Sequence, residues 1–345
     1  MKSLFTRKRI LIGVVALVAI LLLPLVLPTH PLQLVTESLV VGVTAMSFVF
    51  LYGYVGLASM AQMAYFAVAG YTVAVYTVDH GGSFWLGSLL GILLATLVSL
   101  LFGLIAYRSS EIFFLMMTLA LGQLVYSVSM QWSSVTRGYD GFAGVPRPKL
   151  GSYDLATLHP RYFLFVAITL VVFAILSVVV HSQFGLGARA VRENPLKAEA
   201  LGINVNKQRL VAHLIAGATA GLAGVMGIIQ YGVVSPATTG LNDVLKVVMA
   251  AIIGGTLWLS GGILGSVVVV LLISFASGIT ERYWMIVGTL FVVVVIFFPD
   301  GILGAVNSVR ARWRRSRGKG PQSDESGMLE ADQESVLEDS DSVLI

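Results

Sequence analysis

The chain has 345 residues, of which 57% are hydrophobic and only 12% charged, with no cysteine. A soluble domain carries about 25% charged residues, so this composition excludes an ordinary water-soluble enzyme or binding module, and the lack of cysteine excludes disulfide frameworks and thiolate metal sites. The formal net charge of +4 is segregated: the stretch after Gly320 is acidic without Lys or Arg, and the chain before it is strongly basic. Membrane orientation accounts for that surplus, so no nucleic-acid partner is expected.

Apolar stretches of about 18 or more residues point to helices that cross a membrane. In chain order they fall at 10–27, 34–52, 58–78, 86–106, 112–131, 162–180, 210–232, 244–259, 263–279 and 283–298. The N-terminus, "MKSLFTRKRILIGVVALVAILLLPLVLP", has the basic start of a signal peptide. No small-x-small cleavage site follows, and an uncleaved first span is expected. The class is therefore all-α, a polytopic membrane protein with about ten transmembrane helices and membrane lipid as its surroundings. The helices at 244–259 and 263–279 are interrupted by glycines.

Positive charge sets the orientation. With the N-terminus inside, the cytoplasmic side holds Lys2, Arg7, Lys8, Arg9, Arg108, Arg189, Arg192, Lys197, Lys207, Arg209 and the run "RARWRRSRGK". The outside keeps Arg137, Arg147, Lys149, Arg161 and Arg282. An even number of spans returns the C-terminus to the inside, so both termini are expected in the cytoplasm. Residues 1–309 then form the transmembrane domain, with an external loop at 132–161 and a cytoplasmic loop at 182–209. Residues 310–345 form a basic juxtamembrane segment and an acidic tail, expected to be disordered. The external loop, rich in Gly, Pro and turn residues, reads as ordered, with a linker and a contact role both open.

Inside the cytoplasmic loop, Asn194 before Pro195 is a helix start, a side-chain cap followed by a ring whose φ suits the first turn. Gly202 supplies the usual left-handed stop. Leu196, Ala200 and Leu201 share one face at helical spacing, while Lys197 and Glu199 point elsewhere. Burying the charges of this loop in lipid would require on the order of 20 kcal/mol, at about 3 kcal/mol each, so the helix stays in water. A short amphipathic helix between two spans fits a partner's groove; lying on the headgroups is the other reading.

Glycine clusters at Gly53 and Gly56, Gly254 and Gly255, and Gly261, Gly262 and Gly265 suit either close helix packing, the favoured reading, or interrupted helices along a path. His213, Glu37, Asp243 and Lys246 lie near span ends, where pairing or snorkelling is expected. Ser59, Gln62 and Tyr65 are uncharged polar groups within the third span and are candidates for lining a translocation path, with interhelical hydrogen bonds as the alternative. No G-x-x-x-x-G-K-[ST] occurs, so any ATP would be hydrolysed by another polypeptide. A secondary transporter would favour midplane Asp, Glu or His, and an intramembrane enzyme would need a nucleophile with its base or a metal cluster; neither pattern is present in the sequence.

The stretch "ARAVRENPLKAEALGINV" resembles the cytoplasmic loop of permease subunits of branched-chain amino acid ABC importers, in particular the M-subunit family of high-affinity leucine, isoleucine and valine importers. The matching residues are Arg189, Ala190, Arg192, Glu193, Asn194, Ala198, Glu199, Ala200, Leu201, Gly202, Ile203 and Asn204. "GYVGLASMAQMAYFAVAGYT" is similar to a second segment of the family, departing at Leu57, Ala61 and Met63. "TRGYDGFAGVP" is similar to a third, with Arg137 in place of a glycine, and in "IIGGTLWLSGGILGS" Leu257 and Gly262 replace the usual Gly and Pro.

The resemblance implies the ABC importer permease fold in the cell (inner) membrane. It implies an ATPase-coupling role for Arg192, Glu193, Asn194, Pro195, Leu196, Glu199, Ala200, Leu201 and Gly202. It further implies three kinds of partner: a second permease subunit, two cytoplasmic ABC ATPase subunits that use ATP and Mg, and an extracytoplasmic substrate-binding protein. No cofactor or metal is expected on this chain, and no catalytic residue. The implied cargo is leucine, isoleucine or valine. Urea or a short-chain amide is the alternative, and an ion-coupled carrier a more distant one.

Overall fold

A computed structural model describes residues 20–106, 111–151, 153–297 and 301–305. The chain divides into two units, Met1–Leu303 and Gly304–Ile345. The basic juxtamembrane segment and acidic tail expected at 310–345 lie outside the described residues, as do Arg108 and most of the first expected span.

The helices are α1 (described over 20–26), α2 (Thr29–Phe50), α3 (Gln62–Ala74), α4 (Phe84–Ala106), α5 (Glu111–Gln131), α6 (Ser133–Thr136) and α7 (Leu158–His181). They continue as α8 (Gln183–Glu193), α9 (Pro195–Ala200), α10 (Val205–Tyr231), α11 (Leu241–Gly254), α12 (Leu259–Ser277) and α13 (Tyr283–Phe297). Single π-helical turns extend α2 over Leu51–Val55 and α3 over Val75–Asp79. Among the described residues, seven helices are long and apolar enough to cross a membrane. The protein is therefore a mostly helical, multi-pass membrane protein.

The expected count of ten spans is not reached by that measure, and two segments show why. The span expected at 58–78 begins as helix only at Gln62, after a non-helical stretch at 56–61. The span expected at 244–259 is α11, 14 residues long, or about 21 Å at 1.5 Å per residue, short of a hydrocarbon core of about 30 Å. Gly56 (φ 79°) and Gly255 (φ 108°) terminate the preceding helices in a backbone region that side chains rarely enter. Hydropathy is blind to such breaks because the flanking residues stay apolar.

The helices are not equivalent. Apolar stretches of Thr29–Val55 and Val205–Tyr231 are 83% and 78% buried within the protein, against 33% for Phe84–Ala106 and 13% for Tyr283–Ala305. α2 and α10 thus form the centre, and α4, α5, α7 and α13 turn leucine and valine outward, as lipid requires. Small residues bring the central helices together: a Cβ on Gly42 or Gly262 would strike α12 or α2, and one on Gly224 would strike the Phe66 carbonyl. The buried Ser47 and Ser266 hydroxyls donate to the carbonyls of Ala216 and Ser38, each at 2.7 Å, tying α2 to α10 and α12. These glycines therefore serve packing.

The segment expected as an external loop is ordered. Phe142–Ala143 (β1) pairs antiparallel with Val233–Val234 (β4), just past the end of α10, and Lys149–Leu150 (β2) pairs with Tyr153–Asp154 (β3). Arg137 sits at φ 61°, the one described non-glycine with positive φ, at the position where the family resemblance expects glycine. Its guanidinium bonds Asp79 at 2.7 Å and lies 4.3 Å from the centroid of the Phe142 ring, which holds the loop against the end of α3. The ion pair is half exposed and contributes little. Arg137→Gly is expected to change stability by less than about 1 kcal/mol, because relief of the left-handed backbone offsets the lost contacts, whereas Arg137→Ala loses the contacts and keeps the strain. Thermal midpoints in detergent check this; a glycine variant less stable than the alanine variant would contradict it.

Candidate functional site

The expected cytoplasmic helix is present as α9. The Asn194 side chain accepts from the Lys197 N–H at 3.0 Å, Pro195 occupies the first turn, and Gly202 (φ 83°) follows the C-terminus, its N–H donating to the Glu199 carbonyl at 2.9 Å. Each device satisfies backbone groups that a helix of six residues leaves open at its ends. Leu196 and Leu201 are both 79% exposed, and Ala200, Glu193 and Glu199 are exposed beside them. The opposite side is anchored: Ala198 packs with Val191 and Val205 in a small separate cluster. A pair of exposed leucines on a rigid, capped support is a surface shaped for contact.

No helix is expected from sequence where α8 lies. Its Phe184, Ala188 and Val191 do recur at helical spacing, but Gly185 and Gly187 between them lower helix propensity. This helix carries Arg192, an exposed residue. Its guanidinium donates to the Gly53 carbonyl in the π-helical turn that ends α2. Gly53 in turn has no room for a side chain, because a Cβ there would collide with the Thr256 carbonyl in the loop between α11 and α12. Tyr54 donates to the Leu257 carbonyl at 3.3 Å, and the Arg189 guanidinium lies 5.3 Å from the Tyr54 ring centroid. Around this junction is a cavity of about 580 Å³. Arg192 is therefore a link between the α8–α9 hairpin and the end of α2, which in turn abuts the loop after α11; Gln208, donating to the Phe184 carbonyl, ties α8 to α10 as well.

The three candidates for a translocation path lie together at the start of α3, and all are buried: Ser59 and Tyr65 fully, Gln62 at 2% exposure. Tyr65 is 2.7 Å from His213 Nε2, and Phe114 packs edge-on against the same imidazole. His213, expected near the surface of its span, is thus paired inside the bundle. Of the three, Gln62 is the one whose side-chain polar atoms are buried without a hydrogen-bond partner among the described residues. Tyr65→Phe is expected to lower stability by about 1–3 kcal/mol, since it strands His213 Nε2 in a dry site. Thermal unfolding in detergent measures the effect, and an unchanged midpoint would show that the hydrogen bond adds nothing.

Glu37 and Lys246, read from sequence as pairing or snorkelling near span ends, form an ion pair at 2.7 Å between α2 and α11, with 23% and 14% of their side chains exposed. Asp243 lies one turn before Lys246 on α11. Sequence spacing offered no hint that these residues, 209 apart along the chain, meet.

These features define a multi-pass α-helical membrane protein with a polar α8–α9 hairpin linked to the end of an interrupted helix. A family model described as the branched-chain amino acid transport system / permease component matches residues 30–298, and the chain belongs to that family. It is 23% identical over 333 residues to the high-affinity branched-chain amino acid transport system permease protein LivM of Escherichia coli, covering 89% of this chain and 78% of the relative. It is 24% identical to LivM of Salmonella typhimurium, covering 78% and 69%. To the permease protein BraD of Pseudomonas aeruginosa it is 30% identical over 146 residues, covering 42% and 47%.

Proposed function

We propose that this chain is one of two permease subunits of an ATP-driven importer that carries leucine, isoleucine or valine across the cell (inner) membrane. In this reading both termini are cytoplasmic, ten helical segments enter the membrane when α1, α3 and α11 are counted with the longer seven, and residues 1–309 make up the permease domain. A second subunit of the same family completes the pore. An extracytoplasmic binding protein delivers the cargo. Two ABC ATPase subunits, using ATP and Mg, grip the α9 hairpins. The observation that carries the proposal is the exposure of Leu196 and Leu201 on a capped helix whose neighbour, α8, is bound through Arg192 to Gly53.

The geometry supports a lever. ATP-driven closure of the ATPase pair would displace α9; α8 moves with it, because Val191 and Ala198 share a packed cluster. The displacement then reaches α2 through the Gly53 carbonyl, and α11 and α12 through the Gly53–Thr256 contact. Alternating access follows if those helices have two packings that the ATPase state selects between. The test is reconstitution of the chain with the products of its genomic neighbours in liposomes, with binding protein added outside. ATP-dependent uptake of leucine with little uptake of urea is expected. Uptake of urea in preference to leucine would transfer the proposal to an amide importer, and uptake without ATP would reject the ABC assignment.

A further inference from the structure

Between α2, α3, α10 and α11 lies a cavity of about 300 Å³, at the small-ligand end of the usual range of roughly 300–1,000 Å³. Its charged part is formed by Glu37 on α2 and by Asp243 and Lys246 on α11. Its remaining walls include Val40, Val41 and Phe66, all buried. Carboxylates, an ammonium group and an aliphatic wall thus share one small space on the membrane-embedded elements of the chain.

The charges do not balance among themselves. Lys246 Nζ reaches one Glu37 oxygen, which uses one of the three N–H donors of an ammonium group. The salt bridge of this cluster is Lys246–Glu37; Tyr231, on the same cavity wall, also bonds Glu37, and Asp243 shares the field of Lys246 at longer range without an ion pair of its own among the described residues. A set of three charges in a largely apolar enclosure is unfavourable unless each is matched. A zwitterion leaves the net charge of the cluster at −1 but gives each group a partner: its ammonium group pairs with Asp243 and its carboxylate takes the donors Lys246 leaves free, while an aliphatic side chain would cover the valines and Phe66.

We infer that this cavity is a binding site for a zwitterionic aliphatic amino acid, with Lys246 receiving the carboxylate, Asp243 and Glu37 the ammonium group, and Val40, Val41 and Phe66 the side chain. The inference rests on the import function proposed above and assigns that function a place in the permease itself. A neutral amide such as urea would leave Asp243 unmatched and the apolar wall uncovered. The two helices that carry the charges, α2 and α11, are also the two whose far ends meet at the Gly53–Thr256 junction beside Arg192, so movement there would open or tighten the cavity.

The test uses the full chain assembled with its partner permease and ATPase subunits in lipid nanodiscs, without the binding protein. Binding of L-leucine, leucinol and urea is measured by saturation-transfer NMR, alongside leucine uptake by the same complex in liposomes with the binding protein added outside. Leucine is expected to bind about tenfold or more tightly than leucinol, which lacks the carboxylate, or urea. Lys246→Met is expected to erase the preference for leucine over leucinol, and Asp243→Asn to weaken leucine itself by a similar factor.

The double variant Glu37→Lys/Lys246→Glu keeps an ion pair between the helices and so separates support of the fold from recognition; it is expected to assemble and still fail to bind leucine. Leucine binding by that variant at the wild-type level would reduce the cluster to a structural pair and overturn the site, a result that stands even if the single variants fail to accumulate. A wild-type complex that transports leucine but does not bind it here, or a Lys246→Met variant that keeps the preference, also overturns the site and leaves the import function intact. A complex that transports urea and neither transports nor binds leucine would overturn both.

Discussion

Replacing Leu196 and Leu201 together with aspartate is expected to abolish uptake while leaving the chain in the membrane at its normal level. Both side chains are 79% exposed, so nothing inside the fold loses packing and the folded chain is destabilised very little. At an interface the position is reversed. Burying a leucine contributes about 1.5–3 kcal/mol, and the substitute carboxylates would have to enter the partner's groove without their water. Loss of two leucines alone weakens association by a factor of about 100 or more. Co-purification with the ATPase subunits from detergent reads the affinity, and uptake in liposomes reads the consequence. A variant that still pulls down the ATPases would place the docking surface elsewhere on the hairpin, and Leu186, 62% exposed on α8, would be the next residue to change.

Arg192→Met is expected to give a different failure: ATPase subunits still bind and hydrolyse ATP, and transport falls about tenfold or more. The substitution keeps the aliphatic stem and removes the charged donors that reach the Gly53 carbonyl. A hydrogen bond with a charged donor is worth about 1.5–3 kcal/mol, which is the scale of coupling free energies between sites, 1–3 kcal/mol. The hairpin would remain folded through Val191, Ala198 and Val205, and the leucine surface would be intact, so docking and linkage are separated. The quantity to measure is ATP hydrolysed per leucine transported. A rise in that ratio is the expected outcome; hydrolysis and uptake declining together would make Arg192 part of the docking surface.

Much of this was legible in the residues. Seven of the expected spans correspond within a few residues to long helices, because twenty or so consecutive apolar residues have no other stable conformation in lipid. The limits of α9 were equally plain, since Asn194–Pro195 and Gly202 act through local backbone geometry that needs no distant partner. The weaker readings concerned side chains whose meaning depends on what faces them. Tyr65 reads from sequence as a candidate path residue with an interhelical hydrogen bond as the alternative, and only the structure places His213, 148 positions away, beside its hydroxyl.

The division has a physical cause. Apolar length, charge asymmetry and capping are local quantities, so the sequence by itself determined a polytopic helical protein with a capped helix in its polar loop, and resemblance to a family supplied the ABC setting. Which glycines bend the chain and which merely admit a neighbour, which leucines are buried and which exposed, and which ions face one another are pairwise facts. Only the tertiary structure decided that Arg192 reaches the Gly53 carbonyl, and that Glu37, Asp243 and Lys246 converge on one cavity, because those contacts arise from the packing of helices far apart in the chain.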